Sequence, residues 1–253
     1  MPAFSHAIVA VLLFSPLRSS AASPWDGTWK LNRTTLRSIP PPLQVETSGS
    51  HYALTQGTTF HFDCDGRDYP APGSVTLRCT TLPHGIKLER KRDGQVSSIW
   101  ELNLHPDGVS MTETVTEFFP GVPPNIEHDE YRRARSSNKS VAGSWTGVRT
   151  SLEGSDALEF RIHDGFLSFH DARDGEASDA KLDGTPSPFV GAAAHSGVTW
   201  SNVIENERRI VGHALKDGRP INTEVFELSA DGKSIKASQP GSPNQFQAIY
   251  EKQ

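Results

Sequence analysis

The chain has 253 residues and a formal net charge of −5, with no run rich in Lys and Arg. That argues against a nucleic-acid partner, because phosphate binding needs a clustered basic face. Only 35% of the residues are hydrophobic, while Gly (21) and Pro (18) are plentiful. Such a composition suits many short strands joined by turns better than packed helices.

The first element is an apolar run, AIVAVLLF (Ala7–Phe14), followed by Pro16 and SSAAS. Ser20-x-Ala22 or Ala21-x-Ser23 offers the small residues of a signal-peptidase site, so residues 1–23 read as a signal peptide. Eight apolar residues are too few to span about 30 Å of hydrocarbon. The expected product is an exported protein, periplasmic or extracellular, with no transmembrane segment after cleavage.

The rest of the chain repeats itself. WDGTWKLNRT (Trp25–Thr34) returns as VAGSWTGVRT (Val141–Thr150), and Asp65-Gly66 returns as Asp183-Gly184. KRDGQVSSIWELNLHPDG (Lys91–Gly108) returns as LKDGRPINTEVFELSADG (Leu215–Gly232), and Tyr131 returns as Tyr250. Ordered landmarks of this kind predict a tandem duplication. A first domain is expected over 24–136 and a second over 137–253, divided near Ser137 in the polar stretch ARSSNKSV.

In copy one, strands are expected near Thr28–Asn32, Leu43–Thr47, His51–Thr55, Thr59–Asp63, Val75–Thr80, Ile86–Arg90, Val96–Leu104, Ser110–Thr116 and Ile126–Arg132. Copy two supplies Trp145–Thr150, Leu158–His163, Phe166–His170, Val198–Ile204, Arg208–His213, Ile221–Leu228, Ser234–Ala237 and Gln245–Tyr250. Asp-Gly pairs mark the turns, because Gly takes the positive φ that tight hairpins require. RSIPPPLQ (Arg37–Gln44) reads as a stiff extended segment that crosses a barrel mouth, or as a plain link between strands.

Two cysteines, Cys64 and Cys79, suggest one disulfide in an exported chain. His61 and Asp63 share one strand face, as metal ligands or a general base with its orienting carboxylate would. HDARDGEASDAKLDG (His170–Gly184) reads as an exposed acidic loop, and it lacks the spacing of a calcium loop. No nucleophile elbow or phosphate loop is present, so neither a cofactor nor a metal is expected. Trp100 and Trp200 either line a ligand cavity or serve as core aromatics.

Gly27-Thr28-Trp29 and Gly143-Ser144-Trp145 open antiparallel runs of about eight strands each, and in this each copy resembles a lipocalin-like (calycin) β-barrel. The chain also resembles a set of exported bacterial proteins, without assigned activity, that open with DGTWKLN and end with YEKQ. The first resemblance implies that Trp29 and Trp145 each close one barrel end beneath a ligand cavity, with a cation packed on the ring. Arg132 or Arg133 is the candidate cation for copy one, and Lys252 for copy two. The Thr-Asp-Tyr turn and the helix of typical lipocalins are missing.

The fold expected is therefore all-β, two tandem up-and-down barrels. The function expected is non-catalytic binding of a small hydrophobic or amphipathic molecule, with Trp29, Trp100, Trp145 and Trp200 as ligand contacts. The alternatives are an enzyme with its site in one barrel, at His61, Asp63 or the acidic loop, and an envelope interaction module with filled barrels.

Overall fold

A computed structural model describes residues 22–71, 75–134, 139–154, 156–173, 175–190, 197–242 and 245–253. The expected signal peptide lies outside these residues except for Ala22 and Ser23, as does the boundary near Ser137. The described residues contain no helix, hence none long and apolar enough to cross a membrane.

Twenty strands form two barrel-like antiparallel sheets of ten strands each. The first half contributes β1 (Gly27–Arg37), β2 (Leu43–Ser48), β3 (His51–Gln56), β4 (Thr58–Asp63), β5 (Asp68–Ala71), β6 (Val75–Leu82), β7 (Gly85–Arg92), β8 (Gln95–Leu104), β9 (Ser110–Glu117) and β10 (Asn125–Arg132). The second contributes β11 (Gly143–Glu153), β12 (Ala157–His163), β13 (Phe166–Asp171), β14 (Glu176–Lys181), β15 (Ser187–Pro188), β16 (Val198–Asn206), β17 (Arg209–Lys216), β18 (Arg219–Leu228), β19 (Ser234–Ser238) and β20 (Gln247–Lys252).

The two halves trade their first strands. One sheet, barrel 1, holds β2 to β11, with β11 between β10 and β2. The other, barrel 2, holds β1 and β12 to β20, with β1 between β12 and β20. The expected division into 24–136 and 137–253 follows the duplication, but it does not delimit the sheets. Each sheet exceeds about eight strands because short pieces join it: β5 in barrel 1, and β14 and β15 in barrel 2.

The repeated Asp-Gly frame builds the same hairpin twice. Asp93 and Gly94 both take positive φ, 51° and 78°, and Asp217 and Gly218 repeat this at 51° and 73°. Two consecutive positive φ values define the type I′ turn, whose twist matches that of the flanking strands. A register shift follows at the same place in both copies, between Arg90 and Lys91 and between Ala214 and Leu215. The Asp107 carboxylate then accepts from the Val109 and Ser110 amides, which makes this aspartate a turn former.

The ends of each sheet are joined differently. In barrel 1 the Cys64–Cys79 disulfide ties the end of β4 to β6, and the Gly66 amide donates to the Cys79 carbonyl at 2.9 Å. In barrel 2 the join is a bridge in which Ala177 and Val190 exchange hydrogen bonds of 2.9 and 2.7 Å. Replacing both cysteines with serine is expected to cost roughly 3 kcal/mol, the value for a loop of about this length. Urea unfolding under oxidising and reducing conditions reads this, and equal midpoints would mean that the ladder alone holds the seam.

The Gly-x-Trp segments are alike to a degree that sets their chemistry. Trp29 Nε1 donates to the Trp25 carbonyl at 3.0 Å, and Trp145 Nε1 to the Val141 carbonyl at 2.8 Å. Both indoles are fully buried, with Lys252 Nζ 4.9 Å from the Trp29 ring and the Arg133 guanidinium 4.4 Å from Trp145. The expected cations are thus in place, but strand exchange puts Arg133 on Trp145 and not on the tryptophan of its own copy. Gly27 and Gly143 sit at φ 137° and 138°, and a Cβ would press on the Lys252 stem at the first and on the Arg133 guanidinium at the second. Gly143→Ala should therefore cost about 2 kcal/mol through backbone strain, and a thermal melt beside that of the parent checks it.

Candidate functional site

Along β9 and β10 the period-2 alternation sends one set of side chains into barrel 1. Cross-strand pairing arranges them in rows. Nearest the closed end, Leu104, Met111 and Tyr131 lie side by side; the next row is Leu102, Glu113, Asp129 and Thr150. Trp100, Val115, Glu127 and Leu152 follow, and then Arg90, Ser98, Glu117 and Asn125 toward the open end. An apolar floor thus gives way to a carboxylate-rich interior.

Glu113 and Asp129 face each other across the ladder and are 1% and 3% exposed. Tyr131 donates its hydroxyl to Glu113 Oε2 at 3.1 Å and accepts from Gln56 Nε2 at 2.8 Å. Thr150 Oγ1 donates to Asp129 Oδ1 at 2.5 Å. Burial pushes the Glu113 carboxyl up to about 7, only partly offset by the Tyr131 hydrogen bond and worsened by Glu127. Burial also raises Glu127 and Asp129; the Asp129 charge raises Glu127 further while Arg173 pulls it part of the way back, and Glu113 raises Asp129 while Thr150 and Glu127 lower it. The three acids therefore share protons near neutrality.

The open ends of the two barrels meet at a chamber of about 200 Å³. Barrel 1 contributes Glu127 and Thr150, so the chamber touches the carboxylate cluster directly. Barrel 2 contributes an apolar wall of Leu158, Phe169, Phe226, Phe246 and Tyr250, with Asp171, Arg173, Glu224 and Gln239 at its lip. Ser38, Pro40 and Pro41 complete it, and the Thr150 amide donates to the Ser38 carbonyl at 2.9 Å. The proline segment thus crosses between the mouths. It lies so close to β11 that a Cβ on Gly147 would stand 2.0 Å from the Pro40 carbonyl oxygen. Two larger depressions, of about 620 and 760 Å³, are open grooves lined by strands of barrel 2.

The residues singled out from the sequence fall elsewhere. Trp29 and Trp145 close the far ends of the barrels, and Trp200 donates to Asn202 Oδ1 at 2.7 Å and packs on Phe189. Trp100 stands edge-on to Phe60 at 5.8 Å, in the same interior row as Glu127. None of the four lines the chamber. His61 is on the outer face, stacked on His51, which pairs with Asp63 at 3.3 Å. The acidic stretch is not simply an exposed loop. Part of it is β14, whose inward Ser178 and Ala180 are too small to have signalled a core face, and Asp171 and Arg173 reach the chamber. Among the described residues no group of three or more His, Cys, Asp or Glu is placed to hold a metal ion.

Sequence reasoning missed Glu113, Glu127 and Asp129. The signal was present in the repeat. Glu113 and Asp129 pair as Ala237 and Ala248 do in copy two, each beside the equivalent tyrosine row. One inner face is apolar in one copy and acidic in the other. Neither protein-family models nor characterised proteins match the chain.

Proposed function

We propose that this is an exported, non-catalytic binding protein that holds a small, partly apolar molecule in the chamber between the two barrel mouths. The observation that carries this reading is the chamber itself, walled by aromatic side chains of barrel 2 and edged by charged groups of both barrels. Small-molecule sites join an apolar wall to a few convergent polar groups, and in this chamber the polar share of the lining is the larger. Its volume limits the occupant to a small compound. The disulfide and the apolar stretch Ala7–Phe14 support export. The stacked cation on each Gly-x-Trp tryptophan supports kinship with lipocalin-like barrels.

Native mass spectrometry of protein taken from its own envelope tests the reading. A retained small molecule is expected, and Ser38→Trp, which fills the chamber, should reduce its occupancy by about tenfold or more. Protein that carries nothing, and that no small molecule stabilises, would remove the basis for this function. A second reading has one observation in its favour. Glu113 and Asp129 are a buried carboxyl pair with raised proton affinity, as general acid–base chemistry uses. Turnover of the retained molecule would select it.

A further inference from the structure

Barrel 1 holds two buried acceptors and one donor, Arg90 Nε, that lack partners among the described residues. Ser98 and Asn125 are 3% and 7% exposed, yet Ser98 Oγ and Asn125 Oδ1 have no hydrogen-bond partner among the described residues. Both lie on the inner face; Asn125 is two positions from Glu127 on β10, and Ser98 is joined to it across the row by Glu117. Native interiors seldom leave such atoms unpaired, so a missing partner is the first explanation. The carboxylates point the same way. Among the described residues no Lys, Arg or His offsets Glu113 or Asp129, whose hydrogen-bond donors are the hydroxyls of Tyr131 and Thr150. Arg173 faces Glu127, and Arg90 faces Glu117. Barrel 2 closes the same rows with Ala237 and Ala248, so the architecture does not need acids there.

We propose that the ligand is a small organic cation whose ammonium or amidinium head enters barrel 1 among Glu113, Glu127 and Asp129. Ser98 and Asn125 stand one row out from Glu127 as neutral acceptors on the way in, and a short apolar body lies against the aromatic wall of the chamber. This rests on the reading of the chamber as a ligand site and adds the ligand's charge class. A cation supplies the counter-charge that the buried acids lack, and the two unpaired oxygens offer it acceptors one row out from Glu127. An anion would meet like charge, and a neutral compound would leave the shared protons where they are. Entry of the cation ionises a carboxyl group, whose proton passes to solvent. Binding therefore tightens as pH rises through neutrality. Glu117, Tyr131, Arg90 and Arg173 face the cluster too; of these only Arg173 carries positive charge toward Glu127, and it reaches neither Glu113 nor Asp129.

Benzylamine, benzyl alcohol and benzoate are matched in shape and small enough for the chamber. Calorimetric titration of the whole protein with each, at about pH 6 and pH 8 in buffers of different ionisation heat, tests the proposal. Benzylammonium should bind at least about tenfold tighter than the alcohol at the higher pH, lose about tenfold at the lower, and release protons. Glu113→Gln and Asp129→Asn should each erase the preference for the cation, while melting curves stay cooperative and alcohol binding is unchanged. If the alcohol or benzoate binds as well as the amine, the cation assignment falls and the chamber stands as a binding site. If none of the three binds and no small molecule is retained from the envelope, both fall.

Discussion

A fragment cut at the repeat boundary, residues 22–136, is expected not to form a stable monomeric barrel. It contains β1, which among the described residues pairs with β12 and β20 alone, and it lacks β11, which joins β10 to β2. Two strand edges inside one sheet would be left open, and open edges recruit other chains. A fragment of 38–154 contains all of β2 to β11 together with the disulfide, and it should fold as a monomer. Light scattering and cooperative thermal unfolding separate the outcomes. A monomeric, cooperatively melting 22–136 would mean that the exchange of first strands is dispensable.

Glu113→Gln should make the protein more stable at pH 8 by roughly 3 kcal/mol, on the scale of about 1.4 kcal/mol per pKa unit. The folded-state value of about 7 lies above the ordinary 4.5. The folded protein therefore binds more protons than the unfolded chain between about pH 4.5 and 7, and stability falls as pH rises through that window. Glutamine keeps the acceptor for Tyr131 and removes the charge, so the two proteins should be equally stable near pH 4.5 and diverge above it. Urea midpoints at pH 5 and pH 8 give the answer. Parallel curves for parent and variant would show that Glu113 is not held protonated by its surroundings.

What the sequence made legible was local. Alternation and Asp-Gly turns placed most strands, because a type I′ hairpin is decided by two residues with positive φ. The cysteine pair followed from spacing, whereas stiffness alone left the proline segment open between a mouth crossing and a plain link of β1 to β2. What it hid was pairing at long range. The pattern of β1 fits a gap in either barrel equally well, since both copies end in strands with an inward tyrosine, Tyr131 and Tyr250. The acids were hidden for a different reason. Glu and Asp at alternate positions look like a solvated face, and only their register against Met111 and Tyr131 sends them inward. Comparing the copies residue by residue, Glu113 with Ala237 and Asp129 with Ala248, would have exposed them.

The exchange of first strands also fixes an order in time. As the chain is made, barrel 1 can close once Glu153 has emerged, because β11 is its last strand to appear. Barrel 2 has its earliest strand at Gly27–Arg37, one partner of that strand at Ala157–His163 and the other at Gln247–Lys252. β1 must therefore wait with both edges unpaired until β12 is made, and with the edge facing β20 open through almost the whole synthesis. Its outward positions include Lys30, Arg33 and Arg37, all exposed, and like charges on a waiting edge keep neighbouring chains from pairing with it. The cationic rim of β1 protects the newborn chain before it decorates the finished one.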